Sequence, residues 1–356
     1  MSDQTFTQYL LDVQDAARGP QRPPGHDYAH ILSAVAVSMK LTAALVSRGP
    51  LALSGASRTA GEPGTLQRGL RRLATRTLLE RVAGIGRLAA VSIAGDPSIH
   101  QISAGLDARY LLLAEALHGS GGLYENQTVG LAFSILERLG GGPCGEADFM
   151  QPETRQVCAG IGLYGPSTML VLTTGHGVDG FTLDRDVGNF VLTHPQMTIP
   201  TSSGSFAINP SEARHWPAPT KRYVDECLRG SDGPRGRDFT MRWNASAVIG
   251  AFRVLVNGGL FMAPDTGRRV GLWGMPLMHN AAPLAFLAEQ AGGAATTGGE
   301  RILDLVPLSL TQRIPIFFGA VEEVRRIERY VDEHARGLDE GESYPLFHHR
   351  TLFIEP

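Results

Sequence analysis

Phe206-Ala-Ile-Asn-Pro210 opens, and Thr311-Gln-Arg-Ile-Pro-Ile-Phe-Phe-Gly319 closes, the stretch that decides the fold. Between them lies Pro283-Leu-Ala-Phe-Leu-Ala-Glu-Gln-Ala-Gly-Gly-Ala-Ala-Thr-Thr-Gly298. Apolar spacing predicts helices over about 219–229, 244–256 and 283–291, alternating with strands near 259–262 and 315–318. Toward the N-terminus, Pro200-Thr-Ser-Ser-Gly-Ser205 is proline- and serine-rich and divides the chain into halves, 1–200 and 201–335. The remaining 336–356 is polar until Leu346-Phe347 and Leu352-Phe353, which read as a docked tail. Short strands are predicted from Met169, Phe181 and Phe190, with glycine-bearing turns between them. Tyr110-Leu-Leu-Leu113 and Val129-Gly-Leu-Ala-Phe-Ser-Ile-Leu136 read as buried strands around the turn Gly119-Ser-Gly-Gly122. Further upstream the period becomes helical, over about 26–48 (Ile31, Val35, Met39) and 66–82 (Leu70, Leu73, Leu78). Helices and strands segregated in this way argue for an α/β fold of the mixed α+β kind, built in layers.

Composition excludes several function classes. The chain has 356 residues and a formal net charge of −3, too near zero for a nucleic-acid footprint. Cys144, Cys158 and Cys227 are odd in number and far apart, which fits a reducing cytoplasm and neither a disulfide framework nor a zinc ribbon. The N-terminus carries no signal-peptide pattern, and no run reaches the roughly 20 apolar residues of a membrane helix. Only Lys40 and Lys221 are available as Schiff-base nucleophiles. Gly119-Ser-Gly-Gly122 lacks the spacing of a dinucleotide fingerprint, so no such cofactor is expected. His26 and His30 stand at i, i+4 without a third ligand and read as surface histidines. The sequons Asn126-Gln-Thr and Asn244-Ala-Ser carry no weight in a cytosolic chain.

The stretches quoted above, together with Arg222-Tyr-Val-Asp-Glu-Cys-Leu228, Leu163-Tyr-Gly-Pro-Ser-Thr-Met-Leu-Val-Leu-Thr173 and Pro345-Leu-Phe-His-His-Arg-Thr-Leu-Phe353, closely resemble class I fructose-1,6-bisphosphatases. The resemblance covers nearly the whole chain. It implies a layered α-β-α-β-α sandwich, a homotetramer, and hydrolysis of a sugar phosphate assisted by two or three Mg²⁺ ions.

Hard cations need oxygen ligands, chiefly carboxylates, which the family supplies from four segments. Aligned on those segments, this chain carries Thr65, Arg71, Ile93, Ala94, His118 and Asn280, and only Glu115 remains an acid. The reading therefore assigns no metal and no cofactor. For the sugar phosphate, Asn209 and Arg242 match positions that bind the 6-phosphate, Arg242 being donated across a subunit interface. Ala263, Gly274 and Pro276 stand where the family has a tyrosine, a lysine and an arginine.

His118, Glu115, Arg71 and Asn280 are the candidate catalytic residues, with imidazole and carboxylate as base and acid and Arg71 or Asn280 as oxyanion donor. His279 and Tyr124 join Asn209 and Arg242 as candidate substrate contacts. The bland alternative is an Arg71–Glu115 salt bridge filling the place of the metal. Three functions follow from the substitutions: a repurposed, metal-independent enzyme acting on another small molecule, a pseudoenzyme or regulatory subunit binding a sugar phosphate, or a remaining sugar-bisphosphate phosphatase. The first is the leading expectation. The partners expected are a small, phosphorylated molecule and further copies of the chain, with neither nucleic acid nor membrane.

Overall fold

A computed structural model describes residues 4–17, 27–53, 63–105, 107–267 and 274–338. Three helices come first, α1 (Phe6–Ala17), α2 (Ala29–Arg48) and α3 (Pro63–Val82). An eight-stranded sheet follows: β1 (Leu88–Ile93), β2 (Ile99–Gln101), β3 (Tyr110–His118), β4 (Val129–Glu137), β5 (Gln156–Tyr164), β6 (Thr168–Thr173), β7 (Asp179–Asp184) and β8 (Asn189–His194). The strands lie in the order β2-β1-β3-β4-β5-β6-β7-β8. β1 and β3 run parallel, and every other pairing in this sheet is antiparallel.

The short helix α4 (Glu146–Phe149) interrupts that sheet, and α5 (Ala218–Leu228), α6 (Ala247–Asn257), α7 (Ala282–Gln290) and α8 (Val321–Ala335) belong to the second half. Its strands are β9 (Ser205–Ala207), β10 (Thr240–Met241), β11 (Leu260–Ala263), β12 (Met275–Pro276), β13 (Ala294–Thr296), β14 (Arg313–Ile314) and β15 (Ile316–Gly319). Five of them form a sheet ordered β10-β9-β11-β15-β13, while β12 and β14 pair as a separate ribbon.

The burial pattern explains the layering. β1, β4 and β6 are almost wholly buried along their length, without the in-out alternation of a half-solvated sheet. One face receives Ile31, Val35 and Met39 of α2 and Leu70 and Leu78 of α3. The other packs against Val248 and Val254 of α6 and Leu284 and Leu287 of α7, which also meet Phe261 and Phe318 of the second sheet. Tyr223 of α5 and Ile327 and Tyr330 of α8 close the far side. The order is helix, sheet, helix, sheet, helix, as the resemblance implies.

One expectation is qualified here. α2, continued by the turn to Ala52, is long and apolar enough to cross a membrane by length and composition, contrary to the sequence reading. Half of its apolar window is buried against the sheet, so its hydropathy is that of a core helix whose alanines fill the space between α3 and the strands. The docked tail lies outside the described residues, as does His26; His30 is exposed.

Candidate active site

The parallel pair β1 and β3 ends, at its carboxyl edge, beside α3 and a buried turn of π-helix, Leu277–Ala281, that leads into α7. Crevices beyond the carboxyl ends of parallel strands are where open sheets receive ligands, and π-turns recur at functional sites. Local chain geometry aims the side chains. On β3, Glu115 pairs with Ala132 and His118 with Gly130, so three steps along β3 match two along β4. This bulge cancels one alternation of the pleat and turns Glu115 and His118 toward the same side.

Asn280 Nδ2 donates to Glu115 Oε2 at 2.8 Å. Asn280 is fully buried, and its Oδ1 meets no donor among the described residues. Arg71 reaches down from α3 and its Nη2 donates to the Ala94 carbonyl at 2.7 Å. The expected Arg71–Glu115 salt bridge is therefore not what fills the cleft: the amide of Asn280 takes the carboxylate, and the guanidinium caps the end of β1. His118 Nδ1 lies 3.0 Å from Ser246 Oγ at the start of α6. Desolvation holds the His118 pKa below its ordinary value, opposed by the Glu115 charge and reinforced by Arg71. His118 is thus a neutral imidazole near pH 7, able to accept a proton.

His279 lies beside Asn280 on the π-turn, buried, with Nε2 2.9 Å from Ser92 Oγ on β1. Burial pushes its pKa down to about 4, so this pair is a neutral bond pinning the two halves together. Tyr124 is 55 % exposed on a 3-10 turn (Ser120–Glu125), and no contact ties it to Glu115. Asn209 and Arg242 follow β9 and β10, which run parallel, and so share one edge of the second sheet with Ala263. Asn209 Oδ1 accepts from the Ser211 N–H at 3.1 Å, while Arg242 is exposed.

Three contributors escaped sequence reasoning. Ser92 and Ser246 were visible only inside Ser-Ile-Ala and a sequon. Arg313 lies within the quoted Thr311-Gln-Arg motif. It feels the Glu115 charge and donates from Nη2 to the Gly274 carbonyl at 2.6 Å.

Gly119 follows His118 with φ of 70°. A Cβ there would sit 2.7 Å from Ser246 Cβ. Gly119→Ala is therefore expected to cost about 2 kcal/mol in left-handed backbone and crowding, and to separate His118 from Ser246. Urea denaturation measures the first effect and the His118 imidazole NMR resonance the second; an unmoved resonance would refute the coupling.

The donor set does not fit a pair of Mg²⁺ ions. Among the described residues no group of three or more His, Cys, Asp or Glu side chains could hold a metal. Glu115 is the single carboxylate at the aligned ligand positions, already bonded to Asn280, and Arg71 and Arg313 bring positive charge where hard cations need oxygens.

The relatives place the chain despite this departure. The family model for the fructose-1-6-bisphosphatase N-terminal domain matches residues 4–195, and that for its C-terminal domain matches residues 199–332. A class 1 fructose-1,6-bisphosphatase of Methylacidiphilum infernorum (isolate V4) is 48% identical over 250 residues, covering 70% of each chain. The chain belongs to the fructose-1,6-bisphosphatase family. Solved structures agree. The Leishmania major fructose-1,6-bisphosphatase superposes in its holo form with TM-score 0.79 at 27% identity, over 93% of this chain and 100% of the other. Its T-state gives TM-score 0.79 at 27% identity, over 94% and 100%.

This kinship overturns the leading functional expectation. A repurposed, metal-independent, non-phosphatase enzyme, or a pseudoenzyme, was inferred from a handful of substituted ligand positions. Those positions report only which donors are missing there. Identity of 48% over 70% of the chain to a class 1 fructose-1,6-bisphosphatase points to a family phosphatase.

Proposed function

We propose that this protein is a sugar-bisphosphate phosphatase that hydrolyses fructose 1,6-bisphosphate to a monophosphate and inorganic phosphate. The observation that carries the reading is the 48% identity to a curated class 1 fructose-1,6-bisphosphatase. Within it, Glu115 and the neutral His118 are the acid–base pair for water and the leaving alkoxide. Arg71 is the cation available to a phosphoryl oxygen, and Asn280 holds Glu115 in place. His279 positions Asn280 through its bond to Ser92. Asn209 and Arg242 bind the distal phosphate, and the exposure of Arg242 and its neighbours Met241 and Trp243 suits an interface with a second copy in a homotetramer. Tyr124, exposed at the rim, is an outer contact. The split at 200 assigns Arg71, Glu115 and His118 to one half and Asn280, Asn209 and Arg242 to the other, so the cleft depends on both. The three free, buried cysteines suit a reducing cytoplasm.

The test is phosphate release from fructose 1,6-bisphosphate by the purified chain, titrated with Mg²⁺ and Mn²⁺ against a chelator control. Turnover that falls at least a hundredfold in Glu115→Gln, with the fold kept, is the expected result. Silence under every condition would overturn the reading.

A further inference from the structure

The sequence of α3 carries Arg68, Arg71, Arg72, Arg76 and Arg81 against a single acid, Glu80. Four of these arginines, all but Arg81, wall a cavity of about 450 Å³ between α3 and the turn that follows β1. Two acids also line it, and both are engaged elsewhere. Arg76 Nε donates to Glu80 Oε1 at 2.7 Å. Asp96 accepts from the Ser98 N–H and faces His100 Nε2, each at 2.9 Å.

Arg68, Arg71 and Arg72 remain. Arg68 Nη2 donates to Thr65 Oγ1 at 3.4 Å and Arg71 Nη2 to the Ala94 carbonyl at 2.7 Å, both neutral acceptors. Arg72 forms no ion pair among the described residues. Like charges at i, i+3 and i+4 oppose helix formation by about 0.2–0.5 kcal/mol per pair. Here that cost is borne beside an opening at the carboxyl end of a parallel strand pair, and the two carboxylates that line it pair with Arg76 and His100 rather than with Arg68, Arg71 or Arg72. The Leu79 and Ile93 side chains and the arginine stems give the walls an apolar lining, which strengthens any charge-assisted bond made inside.

We propose that this cavity is a binding site for a phosphate-bearing small molecule, held by Arg68, Arg71 and Arg72. A planar guanidinium fork matches two oxygens of one phosphate, and three forks on one helical turn suit a ligand with at least two negative charges. The volume suits a phosphorylated metabolite better than a lone ion. The site goes beyond the phosphatase reading: it is distinct from the Asn209–Arg242 edge, and it shares Arg71 with the Glu115 cleft. Occupancy therefore competes for the guanidinium that caps β1, and links this cavity to catalysis.

The probe is pyrophosphate, titrated calorimetrically into the full chain at constant ionic strength with chelator present. Saturable binding is expected. It should weaken at least tenfold in R68Q/R72Q, whose circular dichroism and unfolding midpoint match the parent, and persist in R242Q. Should the double variant fail to fold, R72Q alone, on an exposed position, reads the same effect. No saturable heat, or binding by R72Q and the double variant as tight as by the parent, overturns the proposal. Addition of fructose 1,6-bisphosphate distinguishes the source of the phosphate: displacement assigns the cavity to substrate, and simultaneous binding assigns it to a second phosphorylated ligand. Both outcomes support an anion site, and neither requires turnover.

Discussion

Glu323→Ala is expected to lower the unfolding free energy by about 3–5 kcal/mol. Glu323 sits in the first turn of α8 and is buried. Arg235 Nη2 donates to both of its carboxylate oxygens at 2.6 Å, Arg237 Nη2 to Oε1 at 2.8 Å, and the Tyr223 hydroxyl to Oε2 at 2.8 Å. Removing the carboxylate strands the Arg235 guanidinium, whose side chain is 3% exposed, against the ring of Phe239. An uncompensated buried charge costs far more than the intact pair contributes, so truncating one partner is the damaging change. Glu323→Gln should fall between, because its amide keeps one acceptor and turns a donor toward Arg235. The pair anchors the segment that leads into β10, so the alanine variant should also weaken the phosphate binding proposed for Arg242. Urea denaturation reads the stability; a loss below about 1 kcal/mol would show that the network contributes little beyond packing.

Glu153 supplies the second large effect, through pH. It is buried, its Oε1 meets no donor among the described residues, and desolvation pushes its carboxyl up to about 8. The direction follows from linkage. Between the ordinary 4.5 and about 8 the folded state keeps a proton that the unfolded chain has released, so stability falls as pH rises through that window. Each pH unit there is worth about 1.4 kcal/mol at most. After local relaxation the chain should be less stable at pH 8.5 than at pH 5.5 by on the order of 3 kcal/mol. Glu153→Gln keeps the shape and removes the titration, so it should match the parent at pH 5.5 and exceed it at pH 8.5. Denaturation curves at the two values decide; parallel pH dependence in parent and variant would sink the argument. The effect reaches the candidate site, because Gln156 Nε2 bonds both the Glu153 and the Ala282 carbonyls, and α7 begins at Ala282 directly after the π-turn that carries His279 and Asn280.

Reading function from the substituted ligand positions went astray for an instructive reason. Thr65, Arg71, Ile93, Ala94, His118 and Asn280 are individually informative about coordination. Relatedness, however, is distributed over the 250 residues matched to the class 1 relative. The core that such a chain must rebuild is displayed directly in the burial of Phe206, Leu284 and Phe318.

The linear chain by itself determined the fold: periodicity of Leu70 and Leu78 made α3 a helix, and the apolar run from Val129 made β4 a strand buried on both faces. These are local consequences of side-chain spacing, legible without partners. The tertiary structure alone decided who bonds to whom. It joined Asn280 to Glu115 across 165 positions of sequence and His118 to Ser246 across 128, and it gave Arg71 to a backbone carbonyl. It also placed four arginines of one helix around a single cavity. Spacing sets which face a residue occupies, whereas a polar group's partner is chosen by what packing brings within hydrogen-bond reach, and that is settled only when the whole core closes.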